Sequence, residues 1–150
     1  SFVFVLNNRV DLSIDVALDD DKLPKYNIYQ GGPVEINTLH FLHNLGPVID
    51  PSKEVFPGVW WGADFDKALE ILRKSPDMIA NFVFFMGYSG WAAGQLQDEL
   101  DDEAWIVSEI GSKMVFNHQI DANTLWKMAM KNLGGKYKVL ADSPIDPSLN

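Results

Sequence analysis

The sequence predicts a single domain that mixes β-strands with packed helices. Three observations carry the prediction. A length of 150 residues suits one core, because a chain of that size buries roughly 68% of its unfolded surface. Short runs rich in Phe, Val and Trp have the composition of strands. Two further segments place apolar residues at helical spacing behind an aspartate able to cap them. An apolar fraction of 47%, with nine Phe, five Trp and four Tyr, supplies the core and excludes a disordered chain.

From Phe2 to Leu6 the chain is rich in Phe and Val and alternates weakly, which reads as a buried strand with no turn or cap before it. Asp19-Asp20-Asp21-Lys22 followed by Pro24 is a charged break, read as a surface loop. Gly31-Gly32-Pro33 ends a short extended segment in a sharp turn, where glycine permits positive φ and proline fixes its own. In the strand that follows, Leu39 and Phe41 face one side, His40 and Leu42 the other. Gly46-Pro47 and Phe56-Pro57-Gly58 punctuate the middle, and Val59-Trp60-Trp61 returns as a short aromatic strand in a hairpin. Asp64 caps a helix carrying Phe65, Ala68, Leu69 and Leu72, closed before Pro76. Val83 to Met86 is apolar on both faces, as suits a central strand, and the turn after it opens a helix. Ala104 to Val107 reads as another short strand. Asp121 caps a helix with Leu125, Trp126, Ala129 and Leu133, which Gly134-Gly135 stops. Pro144 to Asn150 is too rich in proline for a helix or an inner strand.

Composition removes several classes of function. Zero cysteines exclude disulfides, thiol nucleophiles and Cys-ligated zinc, and they fit a reducing compartment, so a cytoplasmic location is expected. No apolar run reaches roughly 18 residues and the first residues lack the basic flank of a signal peptide, so neither membrane insertion nor export is expected. Twelve Lys and Arg against 21 Asp and Glu give a net charge of -9, which opposes attraction to phosphate backbones and anionic lipids. Direct nucleic-acid binding is disfavoured on that ground, and Lys127, Lys131, Lys136 and Lys138 read as a solvated helix face and its exit.

Among chemistry-bearing residues, Ser89 sits between a strand and a helix, the placement of a hydrolase nucleophile, so a Ser89/His43 enzyme is the alternative to a non-catalytic reading. The elbow needs Gly-x-Ser-x-Gly, and Trp91 occupies its last position, so a turn or cap role suits the hydroxyl better. His40 and His43 would share a ligand only on a helix, with His118 or an acid as a third donor. No signature such as His-Glu-x-x-His supports a metal, and none is assigned. Gly31-Gly32-Pro33 lacks the Lys-Ser/Thr of a phosphate loop and loses a donor at the proline, so a structural turn is the reading and no cofactor is implied. Asp98, Glu99, Asp101, Asp102 and Glu103 read as a solvated helix end. Tyr88 and Trp91, beside glycines, are candidates to line a pocket.

The stretch Gly87-Tyr88-Ser89-Gly90-Trp91-Ala92-Ala93-Gly94-Gln95-Leu96-Gln97-Asp98-Glu99-Leu100, with Gly31-Gly32-Pro33-Val34 and Leu39-His40-Phe41-Leu42-His43, closely resembles the bacterial YqgE/AlgH family. The resemblance runs from Val3-Phe4-Val5-Leu6-Asn7 to Leu133-Gly134-Gly135-Lys136-Tyr137, and Asp146 to Asn150 resembles the Bacteroidetes branch. It implies an α+β domain with a mostly antiparallel sheet and packed helices, a cytosolic bacterial protein, and a strand-turn-strand unit ahead of Ser1. The family carries no assigned activity. Some members are labelled transcriptional regulators for an effect on alginate production, without a DNA-binding motif. The expected function is therefore a domain that binds a small molecule or a protein partner and acts indirectly. Its binding residues are expected where Asn7, Gly31, Gly32, Pro33, His43, Gly87, Tyr88, Ser89, Trp91 and Gln95 converge at strand ends. An exposed apolar patch near Trp60-Trp61 or Trp91 would mark a protein-interaction role instead.

Overall fold

The computed structural model describes residues 1–143. In chain order its elements are β1 (Phe2–Val3), β2 (Arg9–Ser13), α1 (Ile14–Ala17), β3 (Asn27–Gln30), β4 (Val34–His43), β5 (Ser52–Phe56), β6 (Val59–Gly62), α2 (Phe65–Lys74), β7 (Phe82–Gly90), α3 (Gln95–Asp101), α4 (Ser112–Val115), α5 (Ala122–Leu133) and α6 (Gly135–Asp142). One seven-stranded sheet has the order β2-β3-β7-β4-β6-β5, with β1 paired to the far end of β7. Only β3 and β7 run parallel, so the α+β class with a mostly antiparallel sheet holds.

The four residues Phe82 to Phe85 are buried on both faces because β7 is an inner strand, between β3 and β4, with side chains packed above and below it. On one face, Phe82 and Phe84 pack with Phe41, whose ring meets the edge of Phe65 at 4.8 Å between centroids. Helix α2 covers this face with Ala68 and Leu72 fully buried, and it starts where expected, with Asp64 Oδ1 accepting from the Lys67 amide at 2.9 Å. On the opposite face, Phe4 stacks on Phe85 at 4.5 Å and Leu42 lies across from Val83. Strands β5 and β6 form the expected hairpin around Pro57-Gly58.

The connection from β3 to β4 determines what the glycines do. These strands are consecutive in the chain but lie on opposite sides of β7, so Gly31-Gly32-Pro33 must cross it. A Cβ on Gly32 would overlap the carbonyl of Tyr88 and the amide nitrogen of Ser89, and one on Gly31 would overlap the Gly87 carbonyl oxygen. Neither Gly31 nor Gly32 has a positive φ. These residues are therefore glycine not because a turn demands a positive φ, as the sequence predicts, but because two backbones touch there. Gly87 alone combines both demands, with φ of 65° and a Cβ position 2.7 Å from the Val34 carbonyl oxygen.

Other expectations are corrected too. Phe2 to Leu6 is not a buried strand. Only Phe2–Val3 is extended and paired, to Ser89 and Gly90, and both residues are exposed. Ala104 to Val107 is not a strand. Its residues are all exposed and meet no sheet edge, so the apolar composition has no ladder to join. Gly134 stops α5 as expected, and the chain then starts a second helix, α6, whose weak amphipathicity concealed it. The expectation for Pro144 to Asn150 lies outside the described residues. Among the described residues no helix is long and apolar enough to cross a membrane.

Candidate functional site

Of the ten residues singled out as a binding set, the structure brings Gly31, Gly32, Gly87 and Tyr88 together at the crossing, with Pro33 exposed beside them. Ser89 pairs with Val3 at the end of β7. Trp91 turns away: its amide donates to the Ser1 carbonyl at 3.0 Å and its indole N–H to Glu99 Oε2 at 2.8 Å. Gln95 closes the first turn of α3, accepting from the Ala92 amide and donating to Glu99 Oε1. Asn7 stands apart, next to Ala122 and Trp126 of α5. His43 lies at the opposite end of β4, facing Phe82 across the ladder. Phe82 precedes Ser89 by seven residues on one strand, a separation of roughly 23 Å, so Ser89 and His43 cannot act as a nucleophile and its base.

His43 has a different serine. Its Nδ1 accepts from the Leu45 amide at 3.3 Å, so the ring hydrogen sits on Nε2 and is donated to Ser52 Oγ, 2.9 Å away. A histidine that donates to a serine cannot take its proton, and this one is fully buried. His40 points from the other face, held by Thr38 Oγ1 at 3.0 Å within a ring of Phe2, Phe4, Trp61 and Tyr88. The two histidines therefore cannot share one ion, and among the described residues no group of three or more His, Asp and Glu could hold a metal. His118 Nδ1 meets the hydroxyl of Tyr26 at 2.6 Å.

Burial lowers the pKa of His40, His43 and His118 below the ordinary 6.5. The folded protein then binds fewer protons than the unfolded chain once pH drops below 6.5, so stability is retained above that value and lost as pH falls toward the depressed folded values. We expect the melting temperature to fall as pH drops below 6.5. Carboxylates with lowered pKa, such as Glu99, act only below their ordinary 4.5 and leave the range between 4.5 and 6.5 clear. A His43→Gln variant should show a shallower slope across it, and an unchanged slope would reject the assignment to His43.

Two adjoining cavities open beside the aromatic ring, and Lys53 and Trp61 line both. The first, about 470 Å³, lies between Leu39, His40, Ser52, Gly62 and Phe65. The second, about 420 Å³, is walled by Phe2, Phe4, Leu42, Val55, Phe56 and Val115. Strand pairing sets this arrangement: Lys53 faces Trp61 and Trp61 faces Leu42, so all three share the face opposite α2. Phe2 stacks between Trp61 at 4.8 Å and Tyr88 at 4.2 Å, which connects the cleft to the crossing. With His40 held toward its neutral form, Lys53 is the only formal charge lining either cavity, and among the described residues it makes no ion pair. Lys53 lies outside every motif that the sequence singles out. The alternation of Lys53 and Val55 against Ser52 and Glu54 was its available signal, obscured by prolines at 51 and 57.

Comparison with known proteins agrees with this architecture. The family model described as AlgH-like (DUF179) matches residues 1–138. A UPF0301 protein of Pelodictyon phaeoclathratiforme is 35% identical over 150 residues, which is all of this chain and 79% of the relative. One from Cytophaga hutchinsonii is 33% identical, again over the whole chain and 82% of its own length. The solution structure of the AlgH protein from Pseudomonas aeruginosa superposes with a TM-score of 0.72 at 24% identity, covering 97% of this chain and 78% of that one. The crystal structure of DIP2367 from Corynebacterium diphtheriae gives 0.75 at 18% identity, covering 95% and 75%. At those identities the two structures establish the shared fold alone.

Proposed function

Since the chain belongs to the AlgH-like family, we propose that it is a non-catalytic domain that binds a small, largely apolar organic acid in the cleft between Trp61 and Lys53 and influences regulation indirectly. The observation that carries this reading is the single unpaired cation at the junction of two aromatic-walled cavities. A concave apolar site with one well-placed polar group is the usual form of a small-molecule site. One lysine supplies a point charge for one carboxylate, and the aromatic faces accept a flat or aliphatic body. The histidine–serine pair next to it is wired in the wrong direction for nucleophilic attack, which favours binding over hydrolysis. The glycines at the crossing and Tyr88 serve the site by holding β7 and the aromatic ring in place.

A lysine on an edge strand also guards against strand addition, so the test must separate the two roles. Octanoate and indole-3-acetate should raise the melting temperature, while octanol and indole-3-acetamide should not. An acid present at 100 times its dissociation constant stabilises by about 2.7 kcal/mol. Lys53→Met should abolish the difference between acid and neutral analogue, and Trp61→Ala should weaken the response to both acids. Equal response to acid and neutral analogue in the unaltered chain would reject the proposal.

A further inference from the structure

Charge is divided unevenly along the chain. Residues 1–111 carry eighteen acidic and seven basic side chains, whereas residues 112–143 carry two acidic and five basic, for balances of -11 and +3. The basic part is chiefly the α5–α6 hairpin, where Lys136 and Lys138 are exposed and Lys131 pairs with Asp142 at 2.7 Å within the hairpin. The hairpin lies outside the core formed by the sheet and α2: Met130 and Ala141 are buried but do not belong to that core. Two polar contacts tie α5 to the preceding segment, Ser108 Oγ to the Ala129 carbonyl at 2.9 Å and Asn132 Nδ2 to the Glu109 carbonyl at 3.2 Å.

Immediately before those contacts, residues 101–107 are all exposed. They begin with Asp101, Asp102 and Glu103 and end with Trp105, Ile106 and Val107, of which 51%, 52% and 69% remain accessible. Trp105 is nonetheless fixed. Its indole N–H donates to Glu99 Oε2 at 2.6 Å, beside the Trp91 ring at 5.8 Å. An exposed tryptophan held in one orientation has already lost the freedom that binding would otherwise remove, which is the character of an interface anchor. Among the described residues no ion pair joins the acidic strip to the hairpin lysines.

We infer that two copies of this chain pair through this face about a two-fold axis, the acidic strip of each meeting the lysines of the other around Trp105, Ile106 and Val107. Acidic, apolar and basic segments follow one another along the chain, and the contacts of Ser108 and Glu109 with α5 tie the basic hairpin directly behind the apolar residues; a surface that keeps this order is complementary to itself when rotated by a two-fold. This inference is independent of the cleft.

Sedimentation equilibrium of the whole chain tests it. We expect a dimer whose dissociation constant rises at least about tenfold between about 50 mM and about 500 mM salt. Trp105→Ala should weaken it at least about thirtyfold. The double variants Lys136→Glu/Lys138→Glu and Asp102→Lys/Glu103→Lys should each be monomeric alone and form a heterodimer when mixed, because each then supplies what the other lacks. All substituted side chains are exposed, and the far-ultraviolet circular dichroism of each variant should match the original. A monomer at every concentration, a mixture that stays monomeric, or a monomer that instead retains duplex DNA through the intact lysines would overturn the inference.

Discussion

Gly32→Ala should cost at least about 3 kcal/mol, a large part of the stability of a domain this size. The atoms an alanine Cβ would strike are the carbonyl of Tyr88 and the amide nitrogen of Ser89, both main chain, and no side chain can move aside to admit it. Relief requires the crossing segment to lift off β7, which would also strain the hydrogen bond from the Gly31 amide to the Met86 carbonyl at 2.8 Å. Two other glycines calibrate the effect. Gly111 has open space and no positive φ, so its alanine variant should stay within about 0.5 kcal/mol of the parent. Gly94 has open space but a φ of 85°, so alanine should cost about 1 kcal/mol from backbone strain alone. Urea unfolding followed by tryptophan fluorescence measures all three, and equal midpoints for the Gly32 and Gly111 variants would remove the crossing from the account.

Gly62→Ala should destabilise by about 2 kcal/mol, through a side chain rather than the backbone. Its Cβ would overlap the far edge of the Phe41 ring. Phe41 is fully buried and cannot swing clear, being hemmed by Phe65, Phe82 and Phe84 at 4.8, 6.0 and 5.8 Å. Phe41→Leu alone leaves a void and costs about 1–2 kcal/mol. Because the smaller side chain makes room for the new methyl, the double variant should be at least about 1 kcal/mol more stable than the two single losses predict together. Strict additivity in the same unfolding assay would show that the contact is relieved some other way.

Much of the fold was legible because its signals are local. Asp64 and Asp121 each cap a helix through an amide three residues on, and a run apolar on both faces marked the central strand at Val83 to Met86. Non-local facts were not legible. Nothing in Gly31-Gly32 says that the next strand will pair on the far side of a strand more than fifty residues later, yet that crossing is why both are glycine. The run at Ala104 to Val107 has strand composition and becomes exposed chain, because composition does not reveal whether a partner edge is within reach. The acidic run read as a plain solvated end hid one engaged member: Glu99 takes both the Trp91 and Trp105 indoles, which hold its carboxyl below the usual range, Trp105 first. Tyr88 and the glycines that the motif singled out meet at the crossing and line neither cavity of the candidate site. Lys53 was not legible, since its importance arises only when the hairpin sets it against Trp61.

Whether an organic acid seats between Trp61 and Lys53 can be read from the indole N–H resonances of isotopically labelled protein titrated with indole-3-acetate. Trp91 and Trp105 serve as internal references because Glu99 holds both. The Trp61 resonance and the amides of Ser52, Lys53 and Gly62 should move in a saturable way, the reference indoles should stay in place, and Lys53→Met should remove the response. Shifts confined to other regions, or a Trp61 response that survives Lys53→Met unchanged, would contradict that seating.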